Sequence, residues 1–370
     1  MKSINVIGSS LLTPFGDVNQ TLYSLENYSS ALSPIKSEFE LKNDKAAIID
    51  KKNFHLNENF SYSDKQSLLA FTVASDVIST TKLDCSTNSV GFVFATSYGH
   101  LLDQEQVEPM SQWAKECIKK LGISIEPIVV STACSAGSDA VGIACSLLEE
   151  NIYETVVIIA VDIVTEAKRI AHSALGTMTN NLIKPFDINR SGMLMGDGAS
   201  ALILSNKVDI KPEAKILGYG ASNDASGLTT PDLSGKSVKL AIERALKASK
   251  QNANDIAVYY AHGTGTEFND HVESLVVSTF FKDNNFLKIV GTKGALGHSL
   301  GACGLIELIL LIKILNKRKL IPTVGLSDPI EIIKSNFENS NHSLLNTNIG
   351  ISITLGFGGF NTALIVEAFD

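Results

Sequence analysis

Residues 126–150 read Glu-Pro-Ile-Val-Val-Ser-Thr-Ala-Cys-Ser-Ala-Gly-Ser-Asp-Ala-Val-Gly-Ile-Ala-Cys-Ser-Leu-Leu-Glu-Glu, and this stretch decides the fold. Ile128, Val129 and Val130 form a short β-branched run suited to a buried strand. A tight turn of small residues follows, centred on Cys134 and Gly137. From Ala140 onward Val141, Ile143, Ala144, Leu147 and Leu148 recur at helical spacing. The stretch predicts a strand, a sharp elbow and a helix, with a cysteine at the helix N-terminus. Unpaired backbone N–H groups and the helix dipole favour an anion there. The thiol is therefore expected to ionise below its ordinary value of about 8.5, and the thiolate is the nucleophile. Taken alone, the elbow reads more readily as a packed turn around a small buried cysteine.

Outward from the elbow, strands alternate with helices. Strand patterns cover residues 4–8, 90–95 and 155–161, with a buried helix from Ser63 and another around Trp113. Residues 17–62 are polar and irregular and receive no element. Past Ala199–Leu204 the pattern starts again near residue 209, with strands at 216–221, 256–260, 289–291, 349–355 and 362–367. Helices are expected at 238–246, 270–281 and 301–315. This order implies an α/β fold with a mostly parallel sheet. Two similar, intimately packed halves are expected, residues 1–208 with the cysteine and 209–370 after it.

With 44% apolar and 19% charged residues, the chain has the composition of a soluble globular protein. A net charge of −8 argues against nucleic acid as a partner, since phosphate binding needs a basic face. Five scattered cysteines without a Cys-x-x-Cys pair suit a reduced, cytoplasmic protein and offer no zinc site. No signal-peptide core and no membrane span is read; the most apolar segment, 305–315, is too short and carries Glu307 and Lys313.

Three further stretches turn the elbow into a site. Tyr260-Ala-His262-Gly-Thr264-Gly-Thr266 follows a strand, where ligand sites of α/β sheets gather. Gly291-Thr-Lys293-Gly-Ala-Leu-Gly-His298 is a second strand–loop–helix passage. Leu355-Gly356-Phe357-Gly358-Gly-Phe-Asn361 is a glycine-dense turn between two strands. Singly, each has an ordinary structural reading.

In this order and context, Cys134, His262, Lys293, His298 and the Gly-Phe-Gly-Gly turn resemble the elongating Cys-His-His β-ketoacyl-acyl carrier protein synthases of the thiolase superfamily. Residues 185–199, with Pro185-Phe-Asp, Arg190, Gly192 and Gly196-Asp-Gly, match the family too. The resemblance implies a thiolase-like fold of two similar halves in an αβαβα layering. It implies an acyltransferase in fatty-acid or type II polyketide or polyene synthesis, joining malonyl-acyl carrier protein to a Cys134-bound acyl chain. Cys134 would carry the acyl group, and His262 and His298 would stabilise the enolate left by decarboxylation. Lys293 would order the second histidine. Asp270, Glu273 and Glu307 would form the supporting charge network. The oxyanion hole would come from the backbone at Cys134 and Phe357, with Phe357 between Gly356 and Gly358 also acting as gate. Thr229, Thr264 and Thr266 would line the pantetheine tunnel.

No metal or redox cofactor is implied, since phosphopantetheine arrives on the carrier protein. The expected partners are that carrier protein, docking on basic residues of which Lys65 is a candidate, and a second ketosynthase-like chain in a homodimer or heterodimer. Departures from the pattern are Leu355, Phe360, Glu267, Ser226 and Gly227, and a first half shortened between Thr96 and Cys134. The shortening leans toward a specialised pathway. The alternative is a non-catalytic chain-length partner, which typically lacks the elbow cysteine.

Overall fold

A computed structural model describes residues 2–50, 61–104, 108–207, 211–337 and 346–369. Twelve strands are described: β1 (Ile4–Leu12), β2 (Leu32–Pro34), β3 (Lys45–Ala47), β4 (Val90–Ala95), β5 (Ile128–Val130), β6 (Thr155–Asp162), β7 (Gly198–Ser205), β8 (Ala214–Asn223), β9 (Val258–Tyr260), β10 (Lys288–Val290), β11 (Ile349–Gly356) and β12 (Phe360–Ala368). The described helices are α1 (Val18–Glu26), α2 (Tyr62–Thr81), α3 (Gln112–Lys120), α4 (Ala136–Glu149), α5 (Glu166–Ala174), α6 (Lys236–Ser249), α7 (Glu267–Phe280), α8 (Lys293–Leu296) and α9 (Cys303–Lys317).

Ten strands are joined in the order β10-β9-β11-β12-β8-β1-β7-β6-β4-β5. Read outward from the centre, β1-β7-β6-β4-β5 mirrors β8-β12-β11-β9-β10, so the chain runs through one pattern twice. The two runs are joined in the sheet where Ile4–Val6 pairs with Ala214–Ile216. The expected boundary between residues 208 and 209 lies outside the described residues.

The sheet is mixed, not mostly parallel. β4 runs parallel to β5 and β6, and β9 to β10 and β11, whereas the remaining neighbours are antiparallel. The reason is local on one side. Gly358 and Gly359, both at φ +81°, fold β12 straight back on β11 as a hairpin. A helical crossover is needed for a parallel pair, and none intervenes there.

α4 and α9 lie between the two halves of the sheet and touch strands of both. α2 and α3 cover the outer face of the first half; α6 and α7 belong to the second. The result is the αβαβα layering. α9 is buried nearly all round, with nine leucine and isoleucine side chains out of water. Each contributes about 1.5–3 kcal/mol relative to exposure. The two central helices approach closely because their contact is made by glycine. A Cβ on Gly137 would stand 2.9 Å from the Leu305 nitrogen, and one on Gly304 2.2 Å from Ser138 Oγ.

Two regions differ from the pattern reading. Residues 17–62 contain α1, β2 and β3. α1 is started by Asp17, whose carboxylate accepts from the N–H of Asn19 and Gln20 while Gln20 reaches back to the Asp17 N–H. It buries only Thr21, Leu22 and Leu25, too few for a periodic signal. The pattern reading does not give α5 either; the residues it buries are the charged Lys168 and Arg169, while Ala167, Ile170 and Ala171 are only partly buried. Among the described residues no helix is long and apolar enough to cross a membrane.

Candidate active site

The elbow forms as the sequence predicts. β5 ends at Val130, Ala133 adopts a positive φ of 52°, and a turn of 3₁₀-helix at Ala133–Ser135 leads into α4. The bend is held from one side by Asp139, whose carboxylate accepts from the hydroxyls of Thr132, Ser135 (2.7 Å) and Tyr219 (2.6 Å). Cys134 is left 5% exposed, and the Phe357 backbone N–H points at its sulfur. The acidity expected of this thiol is overturned. Burial pushes it up to about 12, against the opposing pull of the Lys293 ammonium and the Phe357 N–H. Desolvation of the charged form outweighs the helix terminus, so the resting group is a neutral thiol.

His262 leaves β9 in a loop tied down by two acids of α7. Glu273 accepts from the N–H of His262 (2.9 Å) and Gly263 (2.7 Å), and Asp270 from those of Phe186 (2.7 Å) and Gly265 (3.2 Å). Burial raises these carboxyls to about 7 and about 6. They hold the loop, not the lysine. Lys293 donates to Glu307 (2.5 Å), to the His262 carbonyl (2.5 Å) and to His262 Nδ1 (3.2 Å). The lysine therefore orders the first histidine, in contrast to the expectation that it orders His298. It cannot do both, because its three protons are spent on these contacts. His298 is placed by backbone instead: its N–H donates to Leu194 (2.8 Å), its carbonyl accepts from Gly196 (3.0 Å), and its Nδ1 accepts from the Leu300 N–H (3.2 Å).

The two imidazoles meet edge to face, centroids 5.0 Å apart at 81°. One ligand atom each of Cys134, His262 and His298 falls within 4.8 Å of the others, all buried. Burial, then Lys293, holds both histidines well below their ordinary range, so both are neutral. Each uses Nδ1 as an acceptor, which leaves the proton on Nε2. The site thus presents a neutral thiol and two N–H donors. This trio is one set that could hold a soft metal; His262, Cys303 and Glu307 are a second, already served by the Lys293 ammonium.

Above the trio opens a cavity of about 530 Å³ lined by Thr229, Thr264, Thr266 and the turn Gly356-Phe357-Gly358. The Thr264 and Thr266 hydroxyls bond each other at 2.8 Å. All the sequence-singled pocket residues reach this space; Lys65 does not serve as a surface cation. It is 6% exposed and paired with Asp197 at 2.5 Å, so the docking role expected of it is withdrawn. The pattern reading missed His172, which lines the cavity from α5. Ala167, Ile170, Ala171 and Ala174 recur at helical spacing and could have marked this helix.

Fold and site together define a class: a thiolase-like α/β protein whose two halves bring one thiol and two histidines together. The family model described as the N-terminal domain of β-ketoacyl synthase matches residues 1–209, and that of the C-terminal domain matches 213–327. The chain belongs to the β-ketoacyl synthase family. A 3-oxoacyl-[acyl-carrier-protein] synthase homolog of Saccharomyces cerevisiae is 30% identical over 65% of this chain and 58% of its own length. The mitochondrial 3-oxoacyl-[acyl-carrier-protein] synthase of Arabidopsis thaliana is 31% identical over 63% of this chain and 54% of its own. The aligned part thus spans under two thirds of these relatives. A β-ketoacyl synthase from Burkholderia phymatum superposes over 100% of both chains with a TM-score of 0.87 at 20% identity. The ishigamide ketosynthase/chain length factor does so over 100% and 99%, at 0.88 and 21%. At these identities the superpositions speak to fold alone.

Proposed function

We propose that this chain is an active β-ketoacyl-acyl carrier protein synthase that performs decarboxylative Claisen condensation. The observation that carries the reading is the buried trio of one thiol and two Nε2–H donors within 4.8 Å. Cys134 attacks the thioester carbonyl of a carrier-bound acyl chain; the C–S bond to pantetheine breaks and the thiol proton ends on the departing sulfur. The oxyanion of the tetrahedral intermediate is met by the N–H groups of Cys134 and Phe357. Malonyl thioester then enters past Thr264 and Thr266. Its carboxylate leaves as carbon dioxide, and the electron pair is held as an enolate by His262 and His298. The enolate carbon attacks the acyl-Cys134 carbonyl, the C–S bond breaks, and the thiolate regains a proton from water.

Lys293 and Glu307 keep His262 in its donor tautomer. Asp270 and Glu273 hold the loop that delivers it. The steps call for no resident metal or redox cofactor; the phosphopantetheine comes with the carrier protein. A second ketosynthase-like chain, identical or not, completes the assembly. Its support is the outer edge of β5, which among the described residues pairs only with β4, and neighbours whose titles name a ketosynthase with a chain length factor. Five free cysteines fit a reducing cytoplasm. The shortened loop before Cys134 favours a specialised pathway.

The test is intact-protein mass after incubation with acyl-carrier protein. One acyl mass on the wild type and none on Cys134→Ala is expected. A wild type that never acylates, alone or with a partner chain, would assign it to the non-catalytic chain-length subunits.

A further inference from the structure

The cavity holds a third histidine that the condensation does not use. His172 sits in the last turn of α5 and shares the cavity wall with Cys134, His262 and His298. Its ring lies beside that of Phe357, centroids 5.7 Å apart and inclined by 34°. Since the Phe357 N–H points at the Cys134 sulfur, His172 stands one side chain away from the reacting centre.

Its tautomer follows from two contacts. His172 Nδ1 is 2.9 Å from Thr177 Oγ1, and that hydroxyl is 3.2 Å from the carbonyl oxygen of His172 itself. A carbonyl only accepts, and the hydroxyl has one proton. Both contacts are satisfied only if Thr177 donates to the carbonyl while Nδ1–H donates to Thr177. Nε2 is then a bare lone pair. Burial, with the Lys168 ammonium, pushes the ring down to about 4, so it stays neutral across the physiological range. His172 is thus the opposite of His262 and His298: they offer N–H groups, and it offers an acceptor.

We propose that His172 is a specificity-determining residue whose Nε2 accepts a hydrogen bond from an O–H or N–H group carried a few bonds from the thioester of the incoming chain. A hydrocarbon thioester offers nothing to a lone pair at this position, whereas two donors could reach it. One is a hydroxyl on the acyl chain; the other is an amide N–H of the pantetheine arm. The inference rests on Cys134 being the acylated residue.

The experiment measures acylation rates of Cys134 by intact-protein mass, using butyryl and 3-hydroxybutyryl thioesters of pantetheine and of propanethiol, which lacks an amide. Wild type, His172→Phe and His172→Gln are compared, Gln retaining an acceptor near the Nε2 position. One neutral hydrogen bond is worth roughly three- to tenfold. If the acyl hydroxyl is read, His172→Phe loses that factor on both 3-hydroxybutyryl thioesters only. If the arm is read, it loses it on both pantetheine thioesters only. In either case His172→Gln recovers most of the rate. Wild-type rates in His172→Phe with all four thioesters would overturn the proposal. So would an equal loss on all four, which marks a structural role, or a His172→Gln no better than His172→Phe. A wild type that no thioester acylates would instead sink the synthase reading itself.

Discussion

The two halves build the same elbow and load it differently. In the first, β5 passes through a turn of 3₁₀-helix at Ala133–Ser135 into α4; in the second, β10 passes through α8 and a 3₁₀ turn at Leu300–Ala302 into α9. Each turn carries a non-glycine residue at positive φ, Ala133 at 52° and Leu300 at 44°. The first presents a thiol and is braced by hydroxyls on Asp139. The second presents His298 and is backed by a buried ion pair, Lys293 with Glu307. One scaffold is used twice; the difference lies in what backs each elbow, hydroxyls on a carboxylate or an ammonium–carboxylate pair. Cys134 sits on an elbow braced by three hydroxyls on one carboxylate, and burial leaves its thiol protonated. Burial, with a fixed cation adding to it, keeps the two histidines neutral and donating.

The comparison breaks most visibly by exchanging losses. Cys134→Ala should abolish acylation yet still release carbon dioxide from malonyl-carrier protein. His298→Ala should acylate but release carbon dioxide about 10² to 10³ times more slowly, the usual cost of one donor to developing charge. Carbon dioxide release with and without acyl donor reads both, and a His298→Ala variant decarboxylating at the wild-type rate would remove His298 from this role.

Breaking the charged backing is the next largest effect. Glu307→Gln leaves the Lys293 ammonium buried without its counter-ion, which costs about 3–5 kcal/mol. A denaturant titration measures it; a loss under 1 kcal/mol would mean the pair is not needed to support His262.

The first elbow is sharpened by the reactivity of its buried thiol. With Cys134 raised to about 12, its alkylation by iodoacetamide should climb about tenfold per pH unit from pH 7 to 9 without levelling. A plateau near pH 7 would show that the helix terminus prevails after all.

Smallest is Tyr219→Phe, which removes one hydroxyl at 2.6 Å from Asp139 on the first elbow. A hydrogen bond to a charged group is worth about 1.5–3 kcal/mol net, and here two hydroxyls remain to serve the carboxylate. The loss in unfolding free energy should fall at or below the lower end of that range. Loss of all acylation instead would make the brace part of the chemistry.

Much of this was legible in the sequence because it is written in neighbouring residues. The strand-elbow-helix around Cys134, the Gly-Thr loop after His262 and the Gly-Phe-Gly-Gly turn are local patterns, and a local pattern needs no partner to be read. α1 and α5 run for only nine residues each, too short for their few apolar positions to stand out from the polar chain around them. The antiparallel neighbours were missed because pairing direction depends on where distant strands return.

What the sequence by itself determined was the set of candidate side chains, their order, and the doubled α/β scaffold that presents them. What only the tertiary structure decided was their chemical state. Burial sets the thiol neutral, Lys293 reaches His262 and not His298, Lys65 is spent on Asp197, and His172 joins the cavity. Protonation and partner choice depend on desolvation and on distances between residues far apart in the chain, and neither quantity exists until the halves have packed.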